Sequence, residues 1–279
     1  MVDWSRQQLS TVPASLWDRT ELQVLYLGEN QLTVLPDTLG RLENLTHLYV
    51  HNNQLSVLPE SIGHLPHLHT LDLGHNRLLT LPTALGNLSM LQFLYASDGQ
   101  LTELPASLGN LKSLRYLNAT DNQLSLLPET IGFLTNLREI RLYNNRLTHL
   151  PETIGDLTDL KELHLKQNLL TSLPVSVGRL TNLMRLSLAN NQLSHLPDIH
   201  ALTSLTALDL RNNLLTTLPD LSSLTRLRYL DLRANRLNTL PESLGDLPAL
   251  ERLDLRWLPL PSLPAWHSQL EQRGCIVYV

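Results

Sequence analysis

The amino-acid sequence predicts an α/β repeat solenoid, with a parallel β-sheet on one side and short helical or turn segments on the other. Three observations carry this prediction. Leucines recur at one fixed spacing over most of the 279-residue chain. Within each repeat, an L-x-L step alternates with the period of a strand that buries one face. Hydrophobic residues make up 42% of the chain but aromatic residues only 5%, so aliphatic side chains must build the core.

Equivalent leucines mark the start of each repeat. They stand at Leu22, Leu45, Leu68, Leu91, Leu114, Leu137, Leu160, Leu183, Leu205, Leu227 and Leu250. The spacing is constant except for the two steps after Leu183, which are shorter by a single residue. This register predicts one domain over residues 1–279, because each repeat can bury its leucines only against its neighbours. Within it we expect an N-terminal cap half-repeat over 1–21, ten full repeats over 22–249, and a last partial repeat with a C-terminal cap over 250–279.

Each repeat reads L-x-x-L-x-L-x-x-N-x-L-x-x-L-P-x-x-[LIV]-G-x-L-x-x. The strand lies in the L-x-L part, and the return to the same point is too long for a hairpin, so neighbouring strands should be parallel. The Asn stands where the strand ends, because its amide can pair with the backbone groups of the turn. The Pro fixes φ where the outer segment begins. Two repeats lack the Gly, LPDIHALTSL and LPDLSSLTRL, and should have tighter outer turns.

This pattern resembles the leucine-rich repeat (LRR) family, specifically its 23-residue intracellular type with LP-x-x-[LI]-G in the second half, as in bacterial and Ras-group LRR proteins. The resemblance implies a leucine-rich repeat horseshoe with a concave parallel β-sheet and short helical or turn convex segments. It also implies relatives that act as adaptors and signalling scaffolds, some of them near small GTPases, and bacterial proteins of unassigned role.

The ends of the stack need a different sequence to cover them. Trp4 and Trp17 at one end, and Trp266 with the terminal strand CIVYV at the other, are the expected caps. The single cysteine, Cys275, excludes an intrachain disulfide and a cysteine-based structural zinc site, and its apolar neighbours favour packing over a reactive thiol. Extracellular members of the family usually have disulfide-bonded caps, so their absence predicts a cytoplasmic location.

The charge balance argues against two classes of partner. Lys and Arg number 21 against 26 Asp and Glu, a net charge of −5, whereas nucleic acids and anionic membranes attract a basic excess. The N-terminal MVDWSRQQLS lacks the basic and apolar regions of a cleavable secretory signal, and no apolar run is long enough to span a bilayer. We therefore expect a soluble protein that binds neither nucleic acid nor membrane.

Positions 3, 5, 7 and 8 of each repeat should face solvent on the concave side, because they alternate with the buried leucines. Six of the seven tyrosines fall at these positions. Exposed aromatic side chains are enriched at protein–protein contacts, although the β-propensity of tyrosine alone is an alternative explanation. The predicted partner-binding residues are Tyr26, His47, Tyr49, His51, Phe93, Tyr95, Tyr116, Arg141, Tyr143, His164, Lys166, Arg185, Arg211, Arg233, Arg256 and Trp257.

The aromatic members of this set concentrate in the first half of the chain and predict one exposed aromatic field. At the same positions, the first five repeats carry four acidic residues and no Lys or Arg, which gives a net charge of −4. The corresponding net charge of the last six repeats is +2. The aromatic field would comprise Tyr26, Tyr49, Phe93, Tyr95 and Tyr116, with His47 and His51.

In the C-terminal repeats a column of Asp at 209, 231 and 254 stands beside a column of Arg at 211, 233 and 256. One interpretation is a self-neutralising ladder of surface ion pairs, each worth little. The other is a set of guanidinium groups that read acidic groups on a partner. We favour the ladder, and regard Trp257 beside Arg256 as the better contact residue.

A possible metal site comprises His47, His51, His69, Asp72 and His75, which lie on two neighbouring predicted strands. Side chains on an open sheet project side by side, whereas a divalent ion needs three or four ligands around one point. The sequence therefore predicts no metal site. An alternative role for these histidines is a contact that depends on pH through the titration of their imidazoles.

The sequence contains no phosphate loop, G-x-S-x-G elbow, H-E-x-x-H or kinase motif. We therefore expect a non-enzymatic, cofactor-free, monomeric adaptor or signalling scaffold that binds a protein or peptide on its concave sheet. The alternative is a bacterial effector-type LRR protein, injected into a host cell, that binds a host protein. A third interpretation, an engineered consensus array, is disfavoured by irregularities such as Gly99 and the two short repeats.

Overall fold

The computed structural model describes residues 1–279, which contain 13 β-strands, nine 3₁₀ helices and one short α-helix. Residue contacts group the chain into two compact units, Met1–Arg146 and Leu147–Val279. None of the helices has the length and apolar character that crossing a lipid bilayer requires. Each unit is an open stack of repeats, as the leucine spacing predicts.

The first unit contains a parallel sheet whose strands follow one another in chain order. Each three-residue strand pairs in register with the next, so that equivalent positions of successive repeats are neighbours. Its strands are β1 (Val2–Asp3), β2 (Val24–Tyr26), β3 (His47–Tyr49), β4 (Thr70–Asp72), β5 (Phe93–Tyr95), β6 (Tyr116–Asn118) and β7 (Glu139–Arg141).

The second unit repeats this arrangement, again with parallel, in-register pairing between successive strands. It ends in a short helix, α1 (His267–Gln272), and a final strand. Its strands are β8 (Glu162–His164), β9 (Arg185–Ser187), β10 (Ala207–Asp209), β11 (Tyr229–Asp231), β12 (Arg252–Asp254) and β13 (Ile276–Tyr278).

The outer segments are five-residue 3₁₀ helices, each preceded by the register proline. These prolines have φ between −54° (Pro13) and −76° (Pro36) and extended ψ, which is the geometry that the pyrrolidine ring fixes. The 3₁₀ helices are Ala14–Asp18, Asp37–Arg41, Glu60–His64, Thr83–Asn87, Ala106–Asn110, Glu129–Phe133, Glu152–Asp156, Val175–Arg179 and Glu242–Asp246.

The two short repeats have a turn in place of the 3₁₀ helix. In one, the carboxylate of Asp198 accepts the backbone N–H of His200 at 2.9 Å. In the other, Asp220 accepts the N–H of Ser222 at 3.0 Å. An aspartate that bonds the backbone two residues later forms a compact turn, so these segments turn within fewer residues, as the missing Gly predicts.

Stacked leucines and the register asparagines form the interior of each unit. Most register leucines are fully buried, and the asparagines are buried with them. Asn122 is typical: its Oδ1 accepts the N–H of Leu101 at 2.9 Å, and its Nδ2 donates to the carbonyls of Ala96 and Ala119 at 2.8 and 3.1 Å. Each amide thus satisfies backbone groups of its own repeat and of the preceding repeats.

Tryptophans close both ends, as expected. Trp17 is 3% exposed in the first 3₁₀ helix, and Trp266 is 4% exposed just before α1. Trp4 is half-buried, and its carbonyl accepts the side-chain amide of Asn30 at 2.8 Å. Cys275 is buried beside β13, and burial raises the pKa of its thiol, which agrees with a packing role.

Candidate functional site

The candidate site is the strand face, defined as the outward residues of the strands and of the turns that follow them. Arg185 and Trp257 are exposed there, and the other predicted contact residues are half-buried. The half-buried residues are Tyr26, His47, Tyr49, His51, Phe93, Tyr95, Tyr116, Arg141, Tyr143, His164, Lys166, Arg211, Arg233 and Arg256.

A first aromatic cluster lies on β2 and β3. The rings of Tyr26 and Tyr49 stack with centroids 4.7 Å apart and planes within 4°. His47 lies 6.3 Å from Tyr49 and 6.4 Å from His69. Burial, assisted by the neighbouring His69, lowers the pKa of His47, and burial raises the pKa of Tyr49. Both shifts favour the uncharged forms of these two side chains.

A second aromatic cluster lies on β5, β6 and β7. Tyr95 and Tyr116 have ring centroids 5.0 Å apart at a tilt of 41°, and the guanidinium of Arg141 lies 5.6 Å from the centre of the Tyr116 ring. Burial raises the pKa of Tyr116 to about 12. Glu139 accepts a hydrogen bond from Arg141 and fixes the guanidinium in place.

The expected single aromatic field is therefore wrong, because β4 separates the two clusters. At the positions where its neighbours carry aromatic rings, β4 carries Thr70 and Asp72. Thr70 is only 7% exposed, so it does not face solvent as expected. Other small residues of the face, such as Gly28, Thr120 and Ala189, are also buried.

The histidines considered for a metal do not surround one point. His51 Nδ1 lies 3.2 Å from Asp72 Oδ2. The ring centres of His47 and His69 are 6.4 Å apart, and His75 points to Asp98, with Nε2 3.4 Å from Oδ2. This geometry favours separate pair contacts over a shared ion.

In the second unit, the Asp and Arg columns form the predicted ladder. Arg233 donates to the Asp231 carboxylate at 2.9 and 2.7 Å and lies 3.3 Å from Asp254 on the next strand. Arg256 donates to both oxygens of Asp254, at 2.9 and 2.7 Å. The ladder was expected to consist of surface ion pairs, but the side chain of Asp254 is 1% exposed, whereas that of Arg256 is 34% exposed. The carboxylate of this pair is therefore a buried part of the structure.

Asp209 is the least neutralised member of its column. Its ion-pair partner, the guanidinium of Arg211, is 3.7 Å away and also lies 3.9 Å from Asp231. Burial raises the pKa of Asp209 although the charge of Arg211 opposes this effect. The preceding strand has Ser187, with Ala189 where an Arg would continue the ladder, so the ladder stops at Asp209.

The small side chains around Asp209 leave an open cavity of about 350 Å³ on the strand face. Its lining includes the small residues Ser187 and Ala207 and the larger residues Arg185 and Tyr229. Tyr229 is 45% exposed, which gives this part of the face an aromatic contact residue that was not among those predicted.

Trp257 is the most exposed aromatic side chain of the face, at 73%, and its backbone has a left-handed φ of 62°. The equivalent residue of every earlier repeat, from Glu29 to Ala234, has the same left-handed backbone, so this conformation belongs to the repeat turn. Arg256 contacts two rings, Trp257 at 5.6 Å and Tyr278 at 5.1 Å, and Arg252 lies 4.8 Å from Tyr278. Tyr278, on β13, is a second residue that the repeat pattern did not reveal.

Two further predicted residues meet at Glu162. His164 Nε2 lies 2.9 Å from its Oε2, and Arg185 Nη1 lies 3.8 Å from its Oε1. Asp72 and Asp209 were not among the predicted contacts, yet Asp72 forms no ion pair with a Lys or Arg, and Asp209 has only Arg211, at 3.7 Å. Comparing each acid with the residues beside it on neighbouring strands would have singled them out.

A family model described as a leucine-rich repeat region matches residues 51–142 and 125–217. The chain belongs to the leucine-rich repeat family. Two further LRR models match residues 203–257 and 20–60. No curated protein gives a significant match.

Solved LRR structures share the fold. A Leptospira interrogans LRR protein is 28% identical over 100% of this chain and 95% of its own, with a TM-score of 0.58. YopM from Yersinia enterocolitica is 31% identical over 87% of this chain and 48% of its own, with a TM-score of 0.68. The plant peptide hormone receptor RGFR1, solved with RGF2, is 32% identical over 88% of this chain and 42% of its own, with a TM-score of 0.80. This chain thus spans less than half of the last two.

Proposed function

We propose that this LRR protein is a non-enzymatic recognition module that binds a partner protein or peptide across the strand face and acts as an adaptor or signalling scaffold. The LRR fold and its LRR neighbours support the general class of protein-interaction module. The RGFR1 structure, a receptor in complex with the peptide RGF2, supports a peptide or protein as the kind of partner.

The observation that carries the proposal is the pattern of outward side chains. Paired tyrosines on β2–β3 and β5–β6 present large rings already ordered by stacking, so binding a partner would cost them little conformational entropy. Seven strands at ~4.8 Å spacing give the first unit a face about 30 Å wide, which suits an interface of ordinary size.

We also propose that the strand face lies on the concave side of the solenoid and that the protein is a monomer. We further propose that it is located in the reducing environment of the cytoplasm. Support for the location comes from the ends of the stack, which Trp17 and Trp266 close by packing instead of by disulfides. An effector-type protein that binds a host protein is the second candidate, and the likeness to bacterial LRR proteins of Leptospira and Yersinia favours it.

The test compares protein capture by three forms of the chain from a lysate of its source organism. The first is the wild type, and the second carries Tyr49→Ala, Tyr95→Ala and Arg141→Ala on the strand face. The third carries Val34→Ala, Leu79→Ala and Leu126→Ala, which removes apolar groups of 47–54% exposure outside the strands. We expect the strand-face variant alone to lose at least about tenfold in captured partner, as loss of central aromatic contacts does.

Circular dichroism and thermal unfolding establish that all three forms are folded. Equal capture by wild type and strand-face variant, or loss only in the control variant, would place the binding surface elsewhere. Repeating the capture from a eukaryotic host lysate separates the two candidates, since an effector-type protein should retain a specific host partner and an adaptor should not.

A further inference from the structure

Three neighbouring strands of the first unit place an acid between two tyrosines. In the register of the sheet, Asp72 pairs with Tyr49 on β3 and with Tyr95 on β5. All three side chains point outward from the same position of their repeats. Because adjacent strands lie ~4.8 Å apart, the two tyrosines stand about 10 Å apart, with the carboxylate in the gap between them.

Each tyrosine is supported on the side away from this gap. Tyr26 stacks against Tyr49, nearly parallel at 4.7 Å, and Tyr116 packs against Tyr95 at 5.0 Å. Tyr26 lies on β2 and Tyr116 on β6, so both contacts are on the side turned away from β4. The gap over Asp72 is therefore bounded on both sides by aromatic surface whose position is already fixed.

Asp72 has no Lys or Arg partner. Its carboxylate accepts the backbone N–H of Gly74 at 3.1 Å, and the ring of His51 lies 3.2 Å away without the alignment of a hydrogen bond. The side chain is 23% exposed, so a ligand can reach it from solvent. In the second unit, by contrast, Arg233 and Arg256 hold the carboxylates of Asp231 and Asp254.

The gap has the dimensions and charge that suit a cation. At the spacing of the strands, a positive group above Asp72 would lie about 5 Å from the columns of Tyr49 and Tyr95, which is comparable with the ~6 Å range of a cation–π contact. The protein already makes one such contact on this face, since the guanidinium of Arg141 lies 5.6 Å from the centre of the Tyr116 ring. The outward positions of the first five repeats carry acids and no Lys or Arg, so the only basic group of these repeats beside the carboxylate is the imidazole of His51.

We propose that Tyr49, Asp72 and Tyr95 form a binding site for one basic side chain, the guanidinium of an arginine or the ammonium of a lysine, on the partner protein. The cation lies between the two rings and above the carboxylate, which accepts its N–H groups. This inference rests on the proposed function, because the basic side chain arrives as part of the partner that the strand face binds.

A direct test uses amino-acid amides as probes. Wild-type protein is titrated with Nα-acetyl-arginine amide, Nα-acetyl-lysine amide and the uncharged Nα-acetyl-norleucine amide, while NMR follows the ring resonances of Tyr49 and Tyr95. We expect saturable shifts of both rings with the two charged probes and none with norleucine amide. Asp72→Asn should weaken binding of the charged probes by at least about tenfold, since it removes the charge but keeps the shape.

Asp98→Asn is the matched control. Asp98 is an acid of the same face with a similar histidine neighbour, His75, at 3.4 Å, but it stands beside no tyrosine pair. This variant should bind the probes as the wild type does. Equal affinity of Asp72→Asn and wild type, equal affinity for norleucine amide, or absence of any saturable shift would overturn the inference.

A second test separates this inference from the proposed function. Random twelve-residue peptides displayed on phage are selected against the wild type, Asp72→Asn and Asp98→Asn. We expect wild type and Asp98→Asn to enrich peptides with Arg or Lys at one fixed position, and Asp72→Asn to lose that preference. Selected peptides without a basic position would overturn the cation site but leave the recognition module intact. If the wild type selected no peptide, the proposed function would fail, and the probe titration would still decide the cation site.

Discussion

At the scale of single residues, Gly99 interrupts the asparagine register between Asn76 and Asn122. In the neighbouring repeats, Asn76 Oδ1 accepts the N–H of Leu55, and Asn122 Oδ1 accepts that of Leu101, both at 2.9 Å. The equivalent amide, that of Leu78, has no side-chain acceptor because residue 99 is glycine. A cavity of about 10 Å³ lies beside Gly99, where the missing side chain would be.

We therefore predict that Gly99→Asn stabilises the protein by about 1–2 kcal/mol. The new amide would accept the N–H of Leu78, and the loss of a glycine lowers the entropy of the unfolded chain. A Cβ on residue 99 would lie 2.8 Å from Asn122 Oδ1, so that amide must shift slightly. Urea unfolding at 25 °C measures the change.

The reverse substitution in the next repeat, Asn122→Gly, is the control. It removes an acceptor from Leu101 and a donor from Ala96, so we expect a loss of about 2–3 kcal/mol. The prediction would be contradicted if Gly99→Asn were neutral or destabilising while Asn122→Gly was strongly destabilising. That result would mean that the backbone of the fourth repeat has adapted to the missing amide.

Some features of single residues could be predicted from the sequence and others could not. The period predicted which side of the sheet each tyrosine faces, because the alternation of leucines determines it. It did not predict that Tyr95 packs diagonally on Tyr116, or that Asp254 is 1% exposed. These outcomes depend on rotamers and on the terminal strand that covers β12, and neither is encoded in a repeat pattern.

At the scale of elements, the register glycines allow neighbouring 3₁₀ helices to approach closely. A Cβ added to Gly109, in the helix Ala106–Asn110, would lie 2.5 Å from the carbonyl oxygen of Thr130 and 2.7 Å from its Cβ. These atoms belong to the next outer segment, so Gly109→Ala would push two helices apart. We predict a cost of about 1–3 kcal/mol, measured by urea unfolding.

Gly40, at the equivalent position of an earlier repeat, provides a control in which the added Cβ makes a less severe contact. There the added Cβ would lie 3.0 Å from the Ser61 carbonyl oxygen and 3.1 Å from the Ser61 Cβ, so a small shift relieves the contact. Gly40→Ala should therefore cost less than Gly109→Ala. Equal costs would show that the distance between neighbouring outer segments does not determine the cost of the added methyl group.

The sequence predicted the elements well where one residue type forces the backbone. Proline located the start of every outer segment, and the missing glycine located the two turns. The sequence did not predict whether the remaining outer segments are turns or 3₁₀ helices, because a short segment between fixed ends can form either. The distance to the neighbouring segment decides between them, and that distance follows from packing.

At the scale of the whole molecule, the strands within each unit pair only with the strands before and after them in the chain. β4, for example, pairs with β3 and β5. In such a stack, stability is close to a sum over repeats and their interfaces. Removing one complete repeat should therefore leave a folded protein, whereas removing part of a repeat should not.

Deletion of residues 91–113 tests this prediction, because it joins Met90 to Leu114 and preserves the leucine register. We expect a native circular dichroism spectrum and cooperative unfolding at a lower midpoint. Deletion of residues 91–101 breaks the register and should give an unfolded or aggregated chain. The complete-repeat deletion also removes Tyr95 and brings Asn118 beside Asp72, so the folded product should no longer bind arginine amide between two rings. A folded product that still bound it would mean that the repeat stack alone, without Tyr95, suffices for the cation site.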